Sequence, residues 1–98
     1  MASSQDYLVY VTELLHEVHG ITPKRMMGEY LLYKDGILFG GIFDNRFLIK
    51  KTKSLEGRLM KEEIPYPGAK SMFLVDSENP REIEELVDAV ISDLKGKE

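Results

Sequence analysis

Two histidines, His16 and His19, stand three residues apart, and Glu13 stands three before the first of them. On a helix that spacing gathers three metal-ligand types along one face. The tighter H-E-x-x-H arrangement of zinc hydrolases is not present, and a solvated helix face needs no function, so no metal site is expected. The chain has no cysteine, which removes disulfides, thiolate metal sites, Fe–S clusters and a cysteine nucleophile together. No G-x-S-x-G elbow presents a serine, and most serines stand at capping or turn positions. Asp44, Asp76, Glu29 and Glu63 would work as acid and base only if the fold paired them, which their spacing in the chain does not show. Gly28, Gly40 and Gly41 follow no G-x-G-x-x-G order and open no helix, so close strand packing, and not phosphate binding, is their expected use. No catalytic constellation and no cofactor are expected from these residues.

Two sets of side chains remain as candidates for binding. Residues 50–61 carry Lys50, Lys51, Lys53, Arg58 and Lys61 against Glu56 alone, a basic strip in a chain of net charge −4. Such a strip meets phosphate or an acidic partner. No aromatic residue interleaves with these lysines to stack on bases, and the whole chain is acidic, so direct DNA binding is not expected. The second set is Arg25, Glu29, Tyr33 and Lys50, polar groups on otherwise apolar strands, the layout of a ligand cleft.

The elements that must position these residues are readable from periodicity. The 98 residues make one domain. Tyr7, Leu8, Val11, Leu14, Leu15 and Val18 form a helical stripe, with Ser3 and Ser4 as caps and Gly20 and Pro23 as stops, which predicts a helix over residues 4–19. From residue 25 to 51 the pattern becomes that of strands. Asp35-Gly36 is a strong hairpin signal and Asp44-Asn45-Arg46 a weaker one, so a three-stranded antiparallel meander is predicted over 25–34, 37–43 and 46–51. Counting outward from Asp35-Gly36 puts Met26, Gly28, Tyr30, Leu32, Phe39, Gly41, Phe43 and Leu48 on one face. Leu31, Tyr33, Leu38, Gly40, Ile42, Phe47 and Ile49 fall on the other. A meander with one wet face alternates apolar and polar residues, whereas here both faces are apolar. Thr52 or Ser54 starts a short helix reaching residue 60, weakened by Gly57. Tyr66-Pro67-Gly68-Ala69 has the signature of a type II turn. Residues 71–75 read as a buried strand, with a fifth short strand near 63–66. Asn79, Pro80 and Glu82 open a final helix whose stripe is Ile83, Leu86, Val87, Val90, Ile91 and Leu94.

The stations Arg25-Met26-Met27-Gly28, Tyr33, Asp35-Gly36, Phe39-Gly40-Gly41, Leu48-Ile49-Lys50, Tyr66-Pro67 and Met72 resemble the TfoX (Sxy) N-terminal domain over nearly the whole chain. The Met-Gly-Glu-Tyr and Tyr-Pro-Gly-Ala-Lys stretches are most similar to the short, single-domain members of that family. The resemblance implies an α+β fold of order α-β(3)-α-β(1–2)-α with an antiparallel sheet like that of type III secretion chaperones. It also implies a non-enzymatic interaction module connected to competence regulation. TfoX proteins proper carry a second, C-terminal domain and act with the cyclic-AMP receptor protein. The resemblance assigns no catalytic residue.

The expected function is therefore binding of a protein partner by a possible transcriptional co-regulator; the alternative is a small-molecule binder or enzyme with a cleft on the sheet. The N-terminal residues lack the basic and apolar regions of a signal peptide, and no apolar run has the length of a membrane span, so a cytoplasmic protein is expected. Met26 and Met27 are expected to fill the core, since methionine adapts to irregular gaps. Two helices that cover one face would leave the other apolar. A homodimer through Tyr30, Leu32, Phe39, Phe43 and Leu48, or through the opposite set, is then expected.

Overall fold

The computed structural model describes residues 3–96 of the chain. Its order is α1 (Gln5–Leu14), β1 (Ile21–Met26), β2 (Glu29–Lys34), β3 (Ile37–Ile42), β4 (Phe47–Ile49), a 3-10 turn (Lys53–Leu55), β5 (Glu62–Glu63), β6 (Met72–Leu74) and α2 (Pro80–Gly96). The fold is α+β, with all strands in one antiparallel sheet of order β1-β2-β3-β4-β6-β5. Among the described residues, no helix is long and apolar enough to cross a membrane.

Both helices begin at the caps that the sequence offers. The Ser4 hydroxyl accepts from the Tyr7 N–H at 3.1 Å, and the Asn79 side chain accepts from the Arg81 N–H at 3.0 Å. The Asn79 N–H donates to the Ser77 hydroxyl at 3.1 Å, the role expected of Glu82. α1 ends earlier than residue 19: Leu15 leaves helical geometry and a run of turns carries Val18 back into the core. His16 and His19 therefore lie beyond the helix and do not share one of its faces. Among the described residues, no group of three His, Asp or Glu side chains could hold a metal ion.

The expected strand over 25–34 is two strands. Met27 and Gly28 turn the chain with φ of +52° and +84°, so β1 pairs with β2 from Ile21↔Lys34 to Met26↔Glu29. Asp35-Gly36 (φ +51° and +83°) and Asp44-Asn45 (φ +53° and +54°) make the next two hairpins in the same way. A two-residue type I′ loop needs positive φ at both positions, which Asn, Asp and Gly accept readily. Methionine carries no such signature, which is why the first hairpin is not legible. Met27 is 95% exposed at its tip and Met26 is 44% exposed, so neither fills the core as expected.

Register departs from the simple count. Tyr33 pairs with Leu38, but Leu32 pairs with Gly40, leaving Phe39 as an extra residue in β3. A bulge of this kind shifts every residue beyond it to the opposite face. Ile42, Phe47 and Ile49 thereby join Tyr30, Leu32 and Phe39 in the core, together with Val11, Leu15 and the α2 residues Ile83, Val87 and Val90. Phe43 and Leu48 are buried outside that cluster. The dimer set Tyr30, Leu32, Phe39, Phe43 and Leu48 is thus corrected: its first three members lie under the helices.

The predicted helix over 52–60 contracts to one 3-10 turn. Thr52 makes no side-chain cap. Instead Ser54 donates from its N–H and hydroxyl to Asp93 of α2 at 2.7 and 2.6 Å. Leu55 is buried while Leu59 is fully exposed. The short strand expected near 63–66 is a two-residue strand at Glu62–Glu63, which shares only Glu63 with the expected span.

Gly40 and Gly41 admit no side chain. A Cβ on Gly40 would strike the Leu48 carbonyl oxygen, and one on Gly41 would lie 2.6 Å from the Tyr30 carbonyl oxygen and 2.7 Å from the Phe43 ring. Gly40→Ala should lower unfolding stability in urea by about 1–3 kcal/mol, the usual range for overpacking. Met27→Asn should raise it by about 0.5–1 kcal/mol by relieving positive φ; no change would mean that the Met27 conformation is unstrained.

Candidate functional site

The sheet face away from the helices carries Leu31, Leu38, Gly41, Phe43 and Leu48 by register. Residues 64–71 cross beside it and leave a groove of about 710 Å³, lined on the sheet by Leu31, Leu38, Gly40, Phe43 and Met72. Ligand pockets fall in a range of roughly 300–1,000 Å³. The opposite wall is Pro65, Tyr66, Ala69, Lys70 and Ser71. Gly68, with φ of +88°, and the Ala69 N–H to Tyr66 carbonyl bond of 3.1 Å form the expected turn in that wall. The Tyr66 ring packs on Phe43 with centroids 6.1 Å apart and planes tilted by 54°, an arrangement aromatic pairs favour.

Arg46 holds the wall to the sheet. Its guanidinium donates to Glu63 Oε1 at 3.0 Å, to the Ile64 carbonyl at 3.1 Å and to the Pro65 carbonyl at 3.3 Å. Its Nε also donates to the Phe43 carbonyl at 3.1 Å. A planar fork with several donors suits this task better than an ammonium. A second tie joins Lys51 Nζ to Glu62 Oε1 at 2.9 Å, with the Ser71 hydroxyl donating to the same oxygen at 2.9 Å. The Lys51 ammonium also stands 5.8 Å from the centre of the Phe73 ring.

The groove is polarised along its length. Lys50 and Lys51 follow β4, and Lys51 Nζ lies 3.4 Å from Ser71 Oγ, which brings Lys50, Lys51, Lys70 and Ser71 together at one end. Met26 and Phe43 lie at the other, where the β1–β2 and β3–β4 hairpins turn. Lys50 and Lys70 have no ion pair or side-chain hydrogen bond among the described residues.

The residues singled out in the sequence separate. Of Arg25, Glu29, Tyr33 and Lys50, only Lys50 lines the groove. Arg25 pairs with Tyr30 on the exposed edge strand, and Tyr33 sits at the far end of β2. Glu29 is occupied: its Oε1 accepts from the Ser3 hydroxyl at 2.6 Å, the Ser3 N–H at 2.9 Å and the Asp44 N–H at 3.2 Å. The basic strip also divides. Lys50 faces the groove, Lys51 pairs with Glu62 and Lys61 with Glu63 at 3.3 Å, while Lys53 and Arg58 are exposed. Of the family stations, Met26, Gly40, Lys50, Tyr66 and Met72 line the groove, Phe39 lies in the core, and Met27 and Gly28 form a turn. Lys70 and Ser71 were not singled out in the sequence; a lysine between a Pro-Gly turn and an apolar strand was the available signal.

No family model matches this chain. A curated relative from Spirochaeta aurantia, described as an uncharacterized 12.7 kDa protein in the trpE 5'region, is 36% identical over 78 residues. The match covers 78% of this chain and 68% of the relative. The chain belongs to the family of that protein. That description states no activity.

Ser71 touches a carboxylate, but Glu62 is a poor base for it. Hydrogen bonds from Lys51 and then from Ser71 hold the Glu62 carboxyl below its ordinary value of 4.5. A general base near neutrality needs the opposite shift. Glu63 is lowered too, by Lys61 first and by Arg46. Carboxyls with depressed folded-state pKa values stabilise the fold above their unfolded values, and the contribution is lost as pH falls through the folded ones. Amide protection in residues 61–66, corrected for intrinsic exchange, should therefore fall selectively below about pH 4. Uniform loss across β2 and β3 would show that these ion pairs do not hold the wall.

Proposed function

We propose that this chain is a non-enzymatic binding module, a relative of the TfoX N-terminal domain, that recognises its partner in the groove on the helix-free face of the sheet. The groove carries the reading. It joins an apolar floor to a cationic end, its polar side chains are three lysines, Ser71 and Tyr66, and the carboxylate that Ser71 touches is held too acidic to serve as its base. Ligand sites combine a mostly apolar surface with a few convergent polar groups. On this reading the domain acts in the cytoplasm as a transcriptional co-regulator, the role the TfoX resemblance implies. The sheet cleft expected as the alternative for a small molecule is relocated from Arg25, Glu29 and Tyr33 to Lys50 and Lys70. The dispersal of the basic strip supports a role other than direct DNA binding.

Leu38→Glu places a charge on the groove floor at a partly exposed position. Affinity capture from cell extract, with bound proteins and small molecules identified by mass spectrometry, should find a species held by the wild type and lost from Leu38→Glu at unchanged melting temperature. A species retained equally by both proteins would place recognition elsewhere on the surface.

A further inference from the structure

The reading of the groove as a recognition site leaves its occupant to be assigned, and the groove's polarity does so. Lys50, Lys51 and Lys70 converge at one end, and two of the three have no carboxylate partner among the described residues. The remaining lining carries no acidic side chain. From Leu38 to Phe43 the floor runs five residues along β3, about 16 Å at strand rise. Its far end is Met26, Phe43 and Tyr66, two of them among the exposed large hydrophobic residues. A cation would meet the ammonium groups of Lys50 and Lys70, which no carboxylate among the described residues offsets, and a compact polar anion would leave the apolar floor in water. We propose that the groove binds a single-chain amphipathic acid, its carboxylate between Lys50 and Lys70 and its apolar tail along Leu38, Leu31 and Phe43 towards Met26. An extended medium-chain acyl group fits that span.

Three probes share one tail and differ in the head: decanoate, decanol and decyltrimethylammonium. Isothermal titration with the full chain, below micelle formation, should show decanoate binding most tightly and the ammonium not at all. The double variant Lys50→Gln/Lys70→Gln should lose about tenfold or more for decanoate, as expected for removing charge-assisted contacts, with decanol unchanged. The decanoate affinity of the wild type should also fall with added salt. Equal affinity for the three heads, unchanged decanoate binding by the double variant, or no decanoate binding at all would overturn the assignment. If decanoate fails to bind while the captured species is still lost from Leu38→Glu, the groove remains the recognition site and only this occupant is wrong. Sedimentation equilibrium gives one further overturning outcome: a dimer that Leu38→Glu dissociates and that excludes decanoate would assign the groove to a second copy of the chain.

Discussion

Gly40 stands where β3 carries one residue more than β2, and the backbone of β4 passes so close that no side chain fits between them. Much of the architecture depends on that contact. The extra residue lets Phe39 enter the core and then brings Ile42, Phe47 and Ile49 to the same side. Had the count run through without the bulge, Ile42, Phe47 and Ile49 would have faced away from the helices. Gly41 completes the arrangement, because the Phe43 ring lies against the position its Cβ would take. The two glycines have negative φ, so their value here is the space they leave and not access to left-handed backbone.

The same bulge creates the conditions for the groove. Both helices pack on one face, so the residues turned to the other face need separate cover. Phe43 obtains it from Tyr66. Arg46, its partner across the β3–β4 hairpin, reaches over to the carbonyls of Ile64 and Pro65. A loop held by main-chain acceptors and one ion pair stands off the sheet and does not collapse onto it, which leaves the apolar floor open between them. Polar ties on one side of a site and apolar packing on the other are how a small domain keeps a concave surface without a second layer of helices.

Charge is distributed so that this surface has a direction. The run from Lys50 to Lys61 is continuous in sequence but not in space. Glu62 and Glu63 draw Lys51 and Lys61 into ties along β5, whereas Lys50 is left facing the groove with Lys70 from a distant part of the chain. Glu29, similarly, serves structure: it joins Ser3 to Asp44 and so fixes the N-terminal segment across the β3–β4 hairpin.

Local chemistry in the sequence specified the elements whose signals are local. The caps at Ser4 and Asn79, the stripe from Ile83 to Val90, the Asp35-Gly36 and Asp44-Asn45 turns and the Pro67-Gly68 turn all rest on residues within a few positions of one another, and each appears as expected. The doubled apolar pattern of the meander also announced that one face would need cover other than the helices. The Met27-Gly28 hairpin escaped because methionine has no turn preference, and the bulge escaped because its cause, the approach of Leu48, lies eight residues away on another strand. The early end of α1 and the contraction of the 52–60 helix have the same origin: Val18 and Ser54 find better partners in the core and in α2 than in their own helix. Binding residues were legible as types and not as a group. Lys50 and Lys70 are twenty positions apart, and strand pairing of β4 with β6 and the Lys51–Glu62–Ser71 tie, which are long-range contacts, bring them to the same end of one groove.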